Sequence, residues 1–400
     1  MSALAHVFVH LVPRHDDPFD GIRKQLACAP ERHAICELRL SSEAYECVRR
    51  VEYSFRRRWR FLYYTQVFRE LETALEKALS SSQTAVVYLP EEGVWAEFLR
   101  SFRRRWPRAF LTVNVQHGFG YLVRPRGTLV RRVVNAASST LFGFPIFGMG
   151  SFGGVGAGVF DVYLTYDGAA AAFVTRQIGD LAFACPEVIK HAFLTRAHRE
   201  REQARSSGQD CEQVVFAMQP NTGGMFNRIR FTSLQTMEHL RPLARLLLER
   251  YRRRLKLRLH PGMDRERALQ EFRRSGLAEL ADIDENRDLA ATLARCSLVL
   301  SYDSTVLWEA LLLGVTPVSV QGPCFRGDLG FPHEVLQIDD GLPAALEGLF
   351  AAAAAGKYAL SNYGQSLDWE QVVSRLVKER LFDVSADLSR ATTVRFRRAT

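Results

Sequence analysis

Residues 297–318, SLVLSYDSTVLWEALLLGVTPV, constrain the fold more than any other stretch. The apolar run 297–300 reads as a strand buried on both faces, as in a parallel sheet. Ser301-Tyr302-Asp303-Ser304-Thr305 is a polar turn, 306–313 is helical, Gly314 ends the helix, and 316–320 reads as the next strand. This is half of a βαβ unit. Small hydroxyl residues stand at the helix N-terminus, where free N–H groups and the helix dipole suit an anion, with phosphate the natural one. Glu309 is the one carboxylate in an otherwise apolar helix. One turn in from Ser304 and Thr305, it is placed to reach neutral hydroxyls such as those of a ribose.

A chain of 400 residues is too long for one ordinary core and predicts two domains. Its seven cysteines are scattered, with no CxxC pair, which indicates neither a zinc site nor a disulfide framework. The first 12 residues lack the basic region of a signal peptide, so a cytoplasmic setting is expected. The net charge of +9 suits an anionic partner. Much of the excess lies in three arginine triplets, at 56–58, 103–105 and 252–254.

Along the chain, strands are read at 6–12, 84–89, 110–115, 161–166, 213–218 and 255–259, with helices over 43–79, 95–106, about 225–253 and 285–295. Residues 133–160 hold no charged side chain but seven glycines, one proline and five phenylalanines. A membrane span needs ~20 consecutive apolar residues, and this much Gly and Pro argues against one. Two readings stay open: a loop or hairpin that dips into an anionic membrane surface behind Arg131 and Arg132, or a Gly-rich loop packed within the protein. The polar run 196–212 reads as a linker. The expected division is an N-terminal domain over 1–195, that linker, a nucleotide-binding domain over 213–370, and a C-terminal helix with a basic tail over 371–400.

Alternating β and α elements in both halves predict two doubly wound α/β domains facing a cleft. In such sheets ligands bind beyond the carboxyl ends of the strands. The polar motifs fall at those ends: Glu91-Glu92-Gly93, Gln116-His117-Gly118, Asn221-Thr222-Gly223-Gly224, His260-Pro261 and Ser304-Thr305.

In this order the motifs resemble those of GT-B-fold glycosyltransferases of bacterial surface and capsular polysaccharide synthesis. Gln116-His117-Gly118, Leu257-Arg258-Leu259-His260-Pro261 and Ser301–Thr305 are similar to motifs of the CDP-glycerol:poly(glycerophosphate) transferases. Glu91-Glu92-Gly93, His260-Pro261 and Ser304-Thr305 resemble those of the bacterial sialyl- and polysialyltransferases and the related Kdo-transferases. The resemblance implies GT-B architecture and a CMP- or CDP-linked donor. It implies a surface-glycan or lipid-linked acceptor, as in capsule or lipopolysaccharide synthesis, and work at the cytoplasmic face of the inner membrane.

Sugar transfer needs a base, charge stabilisation for the departing phosphate, and a nucleotide pocket. Glu92 is one candidate base, with Glu91 beside it to raise its pKa. His117 is the competing base, with Gln116 next to it and Gly118 allowing close backbone approach. His260, held extended by Pro261, would meet the leaving phosphate as a cation or a hydrogen-bond donor. Ser304 and Thr305 would bind phosphate, or only cap their helix. Glu309 would bind the ribose, or be a partly exposed helical glutamate. Asn221 and Gly223 would touch phosphate or form an ordinary turn. No paired Asp with DxD spacing sits at a strand end, so no metal and no cofactor beyond the donor is expected.

The expected activity is inverting, metal-independent sugar transfer. The alternatives are a polyol-phosphate transferase using a CDP-glycerol-type donor, with His117 as base, and a nucleotide-sugar epimerase of the same fold. Nucleic acid is not an expected partner, because the arginines lie on separate elements and no nucleic-acid motif accompanies them.

Overall fold

The computed structural model describes residues 3–11, 17–41, 43–44, 61–80, 84–90, 93–106, 110–116, 133–134, 136–138, 140, 160–166, 168–175, 181–208, 212–219, 231–286, 288–302, 304–320, 336–338, 342–354 and 367–379. The chain divides into two units. The first is Met1–Ile189 together with Gly364–Thr400, and the second is Lys190–Tyr363. Each is built on a six-stranded sheet in which every pairing is parallel.

In the first unit the elements run β1 (Leu4–His10), α1 (Asp20–Leu26), β2 (His33–Arg39), α2 (Phe61–Ser80), β3 (Ala85–Leu89), α3 (Gly93–Arg105), β4 (Phe110–Val115), β5 (Val162–Thr165), α4 (Gly168–Phe173), β6 (Leu181–Ala184) and α5 (Pro186–Ile189). The strand order is β2-β1-β3-β4-β5-β6. The chain steps outward on both sides of β1, so the order reverses between β1 and β3. The central strands are mostly apolar, with Thr112 and Asn114 the polar residues of β4, and are buried on both faces, as a parallel sheet requires. One face packs Val7, Val87 and Phe110 against Phe68 and Leu75 of α2 and Phe98 and Phe102 of α3.

The second unit runs α6 (His191–Ser206), β7 (Gln213–Ala217), α7 (Ser233–Tyr251), β8 (Leu255–Arg258), α8 (Arg265–Arg274), β9 (Ala281–Ile283), α9 (Leu289–Ala294), β10 (Cys296–Ser301), α10 (Thr305–Leu312), β11 (Thr316–Val320), β12 (Leu336–Ile338) and α11 (Leu342–Ala354). The order β12-β11-β10-β7-β8-β9 reverses between β7 and β10. A topological switch point of this kind leaves a crevice at the carboxyl ends of the two strands, which is where doubly wound sheets take ligands.

Residues 196–212 do not form a linker throughout. Their first part continues α6 as far as Ser206. The buried stripe of this helix is Phe193, Ala197 and Ala204, one large and two small residues on one face. So thin a stripe is hidden in the sequence by the charges around it. Arg196 Nε donates to Asp288 Oδ2 (3.3 Å), and Arg201 Nη1 to the Leu313 carbonyl, which ties α6 to the rest of its unit.

The last described helix, α12 (Trp369–Val377), belongs to the first unit. Gln25 of α1 holds its approach. The amide nitrogen donates to the Leu367 carbonyl (2.9 Å), and the amide oxygen accepts from the Trp369 N–H (2.7 Å).

Of the uncharged segment, residues 133–134, 136–138 and 140 are helical, Val133 is exposed and Phe160 is buried. The stretch 141–159, on which the two readings of that segment turn, lies outside the described residues. No helix among the described residues is long and apolar enough to cross a membrane.

Candidate functional site

The second unit brings three of the sequence-predicted groups to one edge of one sheet. β10 ends at Ser301, whose hydroxyl donates to the Ala217 carbonyl of β7 (2.8 Å). Ser319 of β11 donates to the Tyr302 carbonyl (2.8 Å), and the Tyr302 ring packs edge-on against Phe216 of β7. These bonds fix the strand ends on both sides of the switch point. The chain then turns into α10.

Ser304 is the N-cap of α10, its side-chain oxygen accepting from the Val306 N–H (3.2 Å). Thr305 is the first helical residue and is partly exposed. Capping and anion binding use the same orphaned donors, so the cap is compatible with a phosphate beside it and does not by itself assign one.

Glu309 is not a partly exposed glutamate. It is 3 % exposed and forms an ion pair with the Lys190 ammonium, itself largely buried. A buried carboxylate needs such a partner, because an isolated charge out of water is held at a cost of several kcal/mol. Lys190 immediately precedes α6.

His260 follows β8 and is half-buried. Its Nδ1 accepts a hydrogen bond from the Gly262 N–H (2.9 Å), which leaves Nε2 as the protonated nitrogen of the neutral ring. Burial pushes its pKa below the usual histidine value, so the ring is neutral at pH 7. Of the two roles open to it from sequence, hydrogen-bond donor and cation, this geometry provides the donor. Gly262 permits the arrangement, since a Cβ there would stand 3.2 Å from His260 Nδ1.

His260 is placed by a polar cluster that the sequence reading missed. Arg258 Nη1 donates to Asp284 Oδ2 (2.7 Å), to Thr292 Oγ1 (2.7 Å) and to the Asn286 carbonyl (2.9 Å). Asp284 in turn accepts from the Asn286 backbone and side-chain amides (3.1 and 2.9 Å). Arg258 and Asp284 are nearly buried, at 11 and 6 % side-chain exposure. The signal was available in part: an arginine in the strand Leu-Lys-Leu-Arg must find an acceptor if its unit closes over it.

In the first unit, Gln116 is fully buried at the end of β4. Its side-chain oxygen accepts from the Tyr166 N–H (3.0 Å) and its backbone N–H donates to the Leu164 carbonyl (2.9 Å). The side chain thus braces the ends of β4 and β5, and an amide has no basic nitrogen with which to take a proton. Asn114, two residues earlier on the same strand face, is 1 % exposed, and neither of its amide atoms has a hydrogen-bond partner among the described residues. A buried unpaired amide costs on the order of 1–3 kcal/mol. It was legible as the one amide side chain in the strand Phe-Leu-Thr-Val-Asn-Val. Glu91, Glu92, His117, Asn221 and Gly223 lie outside the described residues.

No family model matches the chain, and no curated protein matches it in sequence. Solved structures do match. The α,α-trehalose 6-phosphate synthase of Burkholderia multivorans superposes with a TM-score of 0.53 at 12% identity, over 99% of this chain and 100% of that one. The UDP-GlcNAc 2-epimerase of Neisseria meningitidis, bound to UDP-GlcNAc, superposes with a TM-score of 0.55 at 9% identity, over 94% of this chain and 100% of that one. A UDP-N-acetylglucosamine 2-epimerase from Listeria monocytogenes, described as putative, gives 0.54 at 10% identity, over 94% and 96%. At such identities the likeness establishes the fold alone: two doubly wound α/β units of the GT-B type.

Proposed function

We infer that the chain is an inverting, metal-independent glycosyltransferase. It takes a sugar from a nucleotide donor to a glycan or lipid-linked acceptor at the cytoplasmic face of the inner membrane. One observation supports this most: at the β7/β10 switch point, a capped helix start, with a buried, ion-paired carboxylate one turn into the helix, stands on the sheet edge that also ends in a neutral histidine whose Nε2–H has no partner among the described residues. The nucleotide phosphate sits at the start of α10, against Thr305 and the Ser304 cap. Glu309, held by its ion pair with Lys190, accepts from the ribose hydroxyls. His260 donates its Nε2–H to the phosphate oxygen on which charge grows as the glycosidic bond breaks. The acceptor hydroxyl gives its proton to Glu92 or to His117. The choice of CMP or CDP comes from the motif resemblance.

A thermal-shift panel of CMP, CDP, UDP, GDP and dTDP, without metal and then with magnesium, tests this. A nucleotide at a hundred times its Kd stabilises by about 2.7 kcal/mol. The expected result is a metal-independent shift with CMP or CDP. A shift with only UDP, GDP or dTDP overturns the cytidine assignment, and a shift requiring magnesium overturns metal independence. No shift with any of the five overturns the transferase. His260→Ala is expected to keep the nucleotide shift and to lower turnover about a hundredfold, the cost of one transition-state donor. Phosphoglycerol transfer from CDP-glycerol, lost in His117→Ala and kept in Glu92→Gln, would replace sugar transfer with polyol-phosphate transfer.

A further inference from the structure

The buried polar residues of the first unit include a set with no part in the proposed transfer. Trp369 Nε1–H donates to the Tyr88 hydroxyl (3.0 Å), which lies 2.9 Å from His6 Nδ1. His6 Nε2 lies 2.9 Å from His33 Nδ1, and His33 Nε2 lies 3.2 Å from Glu370 Oε1. The file starts and ends on α12 and passes through β3, β1 and β2 between. Its direction follows from its last member. A carboxylate only accepts, so His33 donates from Nε2, and in the Nε2–H tautomer its Nδ1 accepts. His6 then donates from Nε2 and accepts at Nδ1, and Tyr88 donates its hydroxyl proton to His6 while accepting from the indole. In this arrangement each ring nitrogen, the tyrosine hydroxyl and the indole N–H of the file are paired.

We propose that this file is an acid-released latch: it holds α12 on the first sheet near neutral pH and lets the helix go when His6 takes up a proton. A proton on His6 Nδ1 would point at the Tyr88 oxygen. That oxygen would then accept from both His6 and Trp369, and its own buried proton would have no acceptor. Tyr88 and His6 are completely buried, so no water meets that proton while α12 is docked. Undocking removes the indole and admits water, and the imidazolium is then free to form.

The charged groups around the file do not offset this. Arg32, in the turn before β2, stands 3.9 Å from Glu370 Oε1 with Glu31 beside it, and the Ser374 hydroxyl donates to the same oxygen. From α1 the contact is the neutral Gln25. Toward the far end of the same sheet face, Arg23 bridges Asp17 and Glu37 beside His10, with no bond to α12 among the described residues. On α12 itself, Arg375 faces Glu379 in the exposed last turn.

Burial, and secondarily the neighbouring His33, lowers the His6 pKa from 6.5 to about 3. The docked state therefore binds fewer protons than the released one between these values. Its advantage is complete above about pH 6.5 and is lost as pH falls toward 3, with release favoured up to about tenfold per pH unit.

Hydrogen exchange of the full chain at pH 5.5, 6.5 and 7.5, corrected for intrinsic amide chemistry, tests this. The opening of residues 369–377 is expected to rise only about twofold from pH 7.5 to 6.5 and about fivefold from pH 6.5 to 5.5, while β3 in the same unit and β10 in the other keep their protection. His6→Gln is expected to abolish that dependence. A flat response in the native chain, an unchanged slope in H6Q, or a slope shared by β3 overturns the latch. Where H6Q does not fold, Trp369→Phe carries the test. It removes the first bond but keeps an aromatic ring, and should raise helix opening about tenfold at each pH. Unchanged opening in W369F overturns the proposal.

Discussion

Lys190→Met is expected to destabilise the 190–363 unit by about 3–5 kcal/mol, read as a lower denaturation midpoint and faster exchange of β10 and α10. The size follows from burial. Glu309 and Lys190 retain only 4 and 11 % side-chain exposure, so removing the ammonium takes a counter-charge from a carboxylate held out of water. Methionine keeps the aliphatic stem, which confines the loss to the charge. Replacing both partners, in Lys190→Met/Glu309→Leu, should recover most of the deficit, because a buried pair is worth little over a well-packed apolar substitute. A double variant as unstable as the single one would show that the orphaned charge is not the cause. The exposed pair Arg265–Glu285, at 55 and 74 %, is the contrast: Arg265→Ala should change stability by less than about 1 kcal/mol.

Arg258→Met is expected to cost a similar 3–5 kcal/mol, since it strips Asp284 of its cation and removes three hydrogen bonds at once. Thr292→Val, which removes the bond accepted from Arg258 and the bond donated to Asp284, should cost about 1–2 kcal/mol, because both partners keep other bonds. Denaturant titration of the two variants separates a charge effect from a hydrogen-bond effect, and equal losses would contradict the assignment. The same substitution bears on the candidate site. Arg258 is two residues before His260, and the Met218 N–H donates to its carbonyl, so its side chain anchors the strand end that presents the histidine.

Much of the fold was legible because the parallel strands are short apolar runs between turn signals. The strands at 110–115 and 316–320 lie where their β-branched and aromatic runs place them. Gly314, at φ +69°, marks the end of α10 as its position after an apolar helix suggests. Strands β2, β6, β9 and β12 were not seen. β2 has one buried residue, His33, and then partly buried Cys36 and Leu38 among exposed ones, with Glu37 and Arg39 at its open edge, and so lacks the continuous apolar signal of a central strand. Helix α6 was lost to its charge.

The site was legible where a residue's role depends on its neighbours in sequence. Ser304 as a cap and His260 as a strand-end imidazole both belong to that kind. It was illegible where the partner is remote: Lys190 stands 119 residues from Glu309, and Arg258 stands 26 from Asp284. Neither sequence reading of Glu309, ribose ligand or partly exposed glutamate, included a cation, because nothing local supplies one.

The return of α12 to the first unit sets an order of events during synthesis. The unit that begins the chain is completed only by residues 367–379, after the whole 190–363 unit has been made. On the ribosome the second unit therefore has all its strands and can close first, while Tyr88 and His6 wait at an uncovered face of a sheet that is otherwise formed. A chain released before Trp369 would carry that unfinished apolar surface for its lifetime. It is the species that a holding chaperone, or a protease, would meet.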